Sequence, residues 1–189
     1  MLNNNESSKI KRSENEINIT PSNFTRTLIW LHGFSENSDA YLQTFSDSQL
    51  SLVPEDFKVR MLNAPSIPIT FYKGEKHRAW FDLLALEKDN VSVDFEDLQN
   101  TSKYISRCLD EELDILNGDA SRLYIGGFSQ GCVMALHCGL TYKEKLGGII
   151  GISGHLLEKT QLPEKQAPVF LSHGEEDDVI GIDYAVKSY

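Results

Sequence analysis

Cysteine is scarce and unpaired in this sequence: Cys108, Cys132 and Cys138 are the only three among 189 residues. An odd count without metal-type spacing excludes a disulfide scaffold and a zinc module. Each cysteine falls in a segment patterned as helix, and Cys132 and Cys138, six apart on one helix, face different ways and are poorly placed to form a bridge. They read as buried thiols packing as small hydrophobes rather than as redox groups. Basic residues are also few. Eighteen Lys and Arg stand against 28 Asp and Glu, a formal net charge of −10, which argues against nucleic acid or an anionic membrane surface as the main partner. No apolar run approaches the roughly 20 residues needed to cross a bilayer as a helix, so no integral membrane segment is expected. The start, Met1 to Ser8, lacks the apolar core of a signal peptide, and Leu2 stands where myristoylation needs glycine. The cytoplasm is the expected location. Zinc spacing and a phosphate-binding loop are both missing, so neither metal nor nucleotide cofactor is expected.

What is present suits one well-buried domain. Residues 1–16 are polar and are expected to form a disordered tail, with a single domain over 17–189. Ile17-Asn18-Ile19-Thr20 alternates like a short edge strand. Thr27–Leu31 is a continuous apolar run that suits a strand buried on both faces, Lys58–Leu62 is a second candidate core strand, and Leu146–Ile152 and Ala167–Ser172 read as further buried strands. Ala40–Phe45 looks like the start of a helix, and Ile67-Pro68-Ile69-Thr70 reads as part of a loop after Asn63-Ala64-Pro65. From Val93 to Leu116 apolar residues recur at three- and four-residue intervals, predicting an amphipathic helix that Asn117-Gly118 ends. Strands alternating with helices predict an α/β fold with a mostly parallel sheet covered on both faces.

One stretch organises the rest. Arg122–Phe128 reads as a short apolar strand, Gly127-Phe128-Ser129-Gln130-Gly131 has the spacing Gly-x-Ser-x-Gly, and a helix follows. Alone, that spacing would arise by chance in roughly one chain of this length in twenty. Its strand-then-helix setting is that of a nucleophile elbow, where a sharp turn lifts the serine hydroxyl above the sheet edge. The helix then aims its first N–H groups at an oxyanion forming beside that hydroxyl.

Further motifs accompany the elbow: Leu31-His32-Gly33, Asn63-Ala64-Pro65, Trp80-Phe81-Asp82, and His173-Gly174-Glu175-Glu176-Asp177. In this order and spacing the chain resembles the acyl-protein thioesterase and carboxylesterase (lysophospholipase-like) family of α/β-hydrolases, from about Leu28 onward. The resemblance implies a serine hydrolase that cleaves thioesters or esters of long acyl chains through an acyl-serine intermediate. It implies Ser129 as nucleophile and the backbone N–H groups of Phe34 and Gln130 as the oxyanion hole. It also implies Asp177 as the triad acid, with Glu175, Glu176 and Asp178 as competing acids on the same turn. Trp80 and Pro68 are implied as substrate-binding residues lining an acyl channel, although Trp80 also reads as plain core. The implied partner is an acylated protein or lipid ester.

The family's order places a base histidine after the acid. The histidines here are His32, His77, His137, His155 and His173, none of them beyond Asp177. The chain is therefore expected to be C-terminally incomplete relative to the family, with the last strand and helix missing. The alternative function is a non-catalytic acyl- or protein-binding remnant. His155 is the candidate for a substitute base or a pocket-lining residue. An open sheet edge would favour homo-oligomers.

Overall fold

The computed structural model describes residues 8–47, 52–87, 90–162, 164 and 166–189. Its frame is a seven-stranded sheet built from β1 (Lys9–Arg12), β2 (Glu16–Thr20), β3 (Arg26–Leu31), β4 (Phe57–Leu62), β9 (Leu123–Phe128), β10 (Gly148–Ile152) and β11 (Val169–Ser172), in the order β1-β2-β4-β3-β9-β10-β11. Pairing is parallel from β4 through β11, and β1 and β2 add antiparallel. Two hairpins stand apart from it: β5 (Ser66–Ile69) with β6 (Glu75–Arg78), and β7 (Leu83–Glu87) with β8 (Asn90–Val93).

β3 is central because every second side chain has a buried destination on each face. Leu28 and Trp30 join Ile17, Ile19, Val59 and Met61 on one side. Ile29 and Leu31 join Leu62, Leu123 and Ile125 on the other. Each such fully buried side chain contributes roughly 1.5–3 kcal/mol. The helix α1 (Asp39–Ser46) closes the first face, setting Tyr41 and Phe45 against Trp30 with ring centroids at 5.6 and 5.2 Å. On the second face lie α2 (Phe95–Ile115), whose apolar stripe buries Leu98, Ile105, Leu109 and Leu113, and α3 (Gln130–Thr141). A short C-terminal helix, α4 (Ile182–Ser188), follows β11. Asp94 begins α2 by accepting the N–H groups of Glu96 and Asp97. Among the described residues no helix is long and apolar enough to cross a membrane. All three cysteines are buried and free, and burial pushes the thiols of Cys132 and Cys138 up to about 12.

Four expectations are corrected. The strand expected to be buried over Ala167–Ser172 is β11, the outer strand of the sheet, with Val169 and Phe170 exposed. The polar tail expected over residues 1–16 contains β1, which pairs with β2 from Lys9↔Thr20 to Arg12↔Ile17; residues 1–7 lie outside the described residues. Four exposed residues join the sheet through backbone hydrogen bonds, which leave no hydrophobic signature. β2 is consequently an inner strand rather than an edge. The expected loop at Ile67–Thr70 is largely strand β5, and the β7–β8 hairpin had no counterpart in the sequence reading.

α2 also carries a buried acid. Glu112, 1% exposed, receives Lys58 Nζ at 2.7 and 2.9 Å, Arg60 at 3.3 Å and the Thr27 hydroxyl at 3.2 Å. Removing one partner of such a cluster leaves the other charges buried and unmatched. Glu112→Ala is expected to cost about 3–5 kcal/mol, read from urea unfolding midpoints. Arg12→Ala, which breaks the exposed pair with Asp39, is expected to cost less than about 1 kcal/mol in the same assay.

Candidate active site

The residues singled out by the motifs follow the C-terminal ends of four parallel strands: His32–Phe34 after β3, Ser129 after β9, Ser153–His155 after β10 and His173–Asp177 after β11. That end of an open α/β sheet is where ligands bind.

Ser129 sits between β9 and α3 with φ 52° and ψ −118°, a sparsely populated conformation for a residue with a side chain. Holding it costs on the order of 1–3 kcal/mol. The surroundings fix it. Its N–H donates to Ile152 O at 2.8 Å, and its C=O accepts from Val133 N–H at 3.2 Å. The two motif glycines permit the packing. A Cβ at Gly131 would lie 2.2 Å from Leu31 O, and one at Gly127 would lie 2.4 Å from the Gly131 backbone. Helix α3 can thus begin directly against the end of β3. Gly154 serves the neighbouring loop similarly, since a Cβ there would meet Cys132 Sγ at 2.6 Å and Ser129 O at 2.9 Å.

Ser129 opens on a cavity of about 220 Å³, walled mainly by Phe34, Tyr72, Phe81, Leu83, Val133 and Ile180. Gln130, Leu86, Val91 and Val179 also reach it, as do Ser153, Gly154 and His155. Among the described residues neither Phe34 N–H nor Gln130 N–H has a hydrogen-bond acceptor. The Gln130 side chain is a clamp: its Oε1 accepts Trp80 N–H at 2.9 Å and its Nε2 donates to Phe81 O at 2.9 Å. This joins the start of α3 to the cavity wall.

Of the predicted site residues, Ser129, Gln130, Phe34 and His155 share this cavity. Trp80 and Pro68 do not line it. Trp80 is wholly buried, with its Nε1 donating to His32 O at 2.8 Å and its ring 5.0 Å from that of His32. Its indole N–H has a structural partner, and the neighbouring Phe81 supplies the wall. Pro68 lies exposed in β5. Asp177 stands just behind the cavity. Its Oδ1 accepts the N–H groups of Val179 and Ile180, both at 2.9 Å, so it shapes the turn that presents those apolar side chains. Its Oδ2 lies 3.5 Å from Nε2 of His173, which donates to Ile180 O at 2.8 Å. The role of His173 in holding this turn escaped the sequence reading, although its spacing from Asp177 was visible. Leu83, Leu86 and Val91 escaped because their hairpin did.

His155 is 3% exposed, its Nδ1 has no partner, and its ring meets Tyr184 edge-on at 5.1 Å. Burial, helped by the nearby charge of His173, pushes it down to about 4, so the imidazole is neutral at neutral pH. Among the described residues no imidazole is hydrogen-bonded to the Ser129 hydroxyl.

Two outcomes follow. Between pH 6.5 and about 4 the unfolded chain takes up a proton that folded His155 refuses, so stability is present above that window and falls as pH drops through it. The loss reaches up to about 3 kcal/mol, and His155→Phe is expected to flatten that part of a pH series of urea melts. Gln130→Glu places a carboxylate against Phe81 O and is expected to lower stability by about 1–3 kcal/mol in the same melts.

The model of the phospholipase/carboxylesterase family matches residues 13–189. An acyl-protein thioesterase 1 of Yarrowia lipolytica is 31% identical over 87% of this chain and 74% of its own length. One from Schizosaccharomyces pombe is 33% identical over 88% and 75%. Among solved structures, Arabidopsis thaliana SOBER1 superimposes with a TM-score of 0.75 at 27% identity, covering 86% of this chain and 79% of that one. Zea mays acyl-protein thioesterase 2 shares the fold with a TM-score of 0.73. A mostly parallel sheet carrying a strained serine between strand and helix, matched along nearly its whole length, makes this chain a member of the phospholipase/carboxylesterase family with the α/β-hydrolase fold.

Proposed function

We propose that the protein is a serine hydrolase of acyl thioesters or esters, with an acylated protein or a lipid ester as substrate. The observation that carries this reading is the strained turn at Ser129, which opens on an apolar cavity beside the free amides of Phe34 and Gln130. The Ser129 oxygen attacks the acyl carbonyl and loses its proton to a base. The carbonyl oxygen becomes an oxyanion held by the N–H groups of Phe34 and Gln130. The C–S or C–O bond then breaks, the leaving group takes the proton, and water repeats the sequence on the acyl-serine to release a carboxylate. Asp177 is the carboxylate suited to orient the base. The cavity takes the acyl chain, each buried methylene contributing roughly 0.8 kcal/mol. The names of the thioesterase relatives support the choice of substrate class.

A second reading has one observation in its favour. His155, the imidazole that lines the cavity among the described residues, is held neutral and weakly basic. On this reading the chain binds acyl groups without turning them over.

Incubation with an octanoyl thioester and, separately, with an alkyl fluorophosphonate distinguishes the two. Hydrolysis and stoichiometric labelling, both lost in Ser129→Ala, are expected of the hydrolase. A folded sample that binds octanoate but neither hydrolyses nor labels would contradict it and leave the binding reading standing.

A further inference from the structure

The loop His32–Glu36 carries Phe34, and the peptide groups around that residue are all tied down. Gly33 O accepts from His32 Nδ1 at 2.7 Å and from Glu36 N–H at 3.3 Å. Ser35 N–H donates to Arg78 O at 2.8 Å. Gly33 N–H donates to Glu36 Oε2 at 2.9 Å, and the same carboxylate oxygen accepts the Tyr41 hydroxyl. Phe34 N–H alone among the amides of residues 33–36 is left without an acceptor, among the described residues.

The geometry has a direct consequence. In a trans peptide the N–H points opposite to the C=O. Holding Gly33 O therefore turns Phe34 N–H the other way, and Gly33 is the residue most able to let that peptide rotate. The Glu36 side chain clamps the preceding peptide, so both sides of Gly33 are fixed by one residue and the His32 ring. Tyr41 aims that carboxylate. Burial, together with the bond to Glu36, holds its hydroxyl well above the usual range, so it stays a donor, and its ring is wedged against Trp30 at 5.6 Å.

We propose that Glu36, aimed by Tyr41, is a positioning residue that keeps Phe34 N–H directed at the oxygen of the bound acyl group. This rests on the oxyanion role given above to Phe34, and its test does not need turnover. The full chain and its Glu36→Ala, Glu36→Gln and Tyr41→Phe variants are titrated with octanoate and with octanol. Both ligands fill the cavity, but only the carboxylate engages the amides. The wild-type chain is expected to prefer octanoate. Glu36→Ala is expected to lose about tenfold of that preference, with octanol affinity unchanged. Removing an acid on electrostatic grounds alone would instead strengthen octanoate binding, so the two causes have opposite signs. Glu36→Gln keeps an oxygen for Gly33 N–H and is expected to stay within about threefold of wild type, with Tyr41→Phe between the two. An unchanged ratio in Glu36→Ala, or equal weakening of both ligands, would overturn the proposal. So would a wild-type chain that does not distinguish them. If the wild-type chain shows the preference but never labels with fluorophosphonate, the hydrolase reading fails while the positioning role stands.

Discussion

The structure depends on a close approach between two backbones. The start of α3 lies so near the end of β3 that a single methyl group at Gly131 would sit 2.2 Å from a carbonyl oxygen. Interiors packed to crystal-like density cannot absorb such an intrusion without moving an element. That contact, with the Gly127–Gly131 contact stacked upon it, forces the connection between β9 and α3 into a turn too tight for ordinary backbone angles. Ser129 takes the strain, and its hydroxyl is thereby held at the end of the sheet instead of in its core.

Everything else around the cavity is arranged relative to that turn. Gln130 ties it to the Trp80-Phe81 segment, and the Ser129 N–H ties it to the end of β10. The loop after β11 folds over Asp177 Oδ1, which sets Ile180 in the cavity wall and leaves Val179 at its exposed rim. The same carboxylate that could orient a base thus also builds part of the apolar wall, linking the polar side of the site to its binding side. The long ion cluster at Glu112 stands apart from this. It anchors α2 over β3 and β4 and leaves the cavity untouched.

The sheet's centre was legible because β3, β9 and β10 are largely buried apolar runs, and α2 repeats its stripe over five turns. The elbow was legible because its two glycines answer a steric need that no other residue meets. The rest was hidden for physical reasons. β1 pairs through its backbone, and its side chains, all exposed, carry no signal. The β7–β8 hairpin mixes half-buried and exposed positions with a register irregularity near Leu83, which blurs the two-residue period. The resemblance implies Trp80 as a channel-lining residue, yet a buried indole is placed by where its N–H finds a partner, here the His32 carbonyl. Tertiary contacts settle such matters, and spacing along the chain does not express them. The same limit applies to Glu36, whose bond to Gly33 N–H is only three residues long but depends on Tyr41 for its aim.

The central claim is that the strained turn aims Ser129 Oγ at an acyl carbonyl whose oxygen lies between two backbone amides. A crystal structure of the chain after treatment with an octyl fluorophosphonate tests it directly. The account predicts phosphorus bonded to Ser129 Oγ, the phosphoryl oxygen within hydrogen-bond distance of Phe34 and Gln130 N–H, and the alkyl chain along Phe81 and Ile180. An unmodified Ser129, or an adduct whose phosphoryl oxygen faces away from both amides, would contradict it.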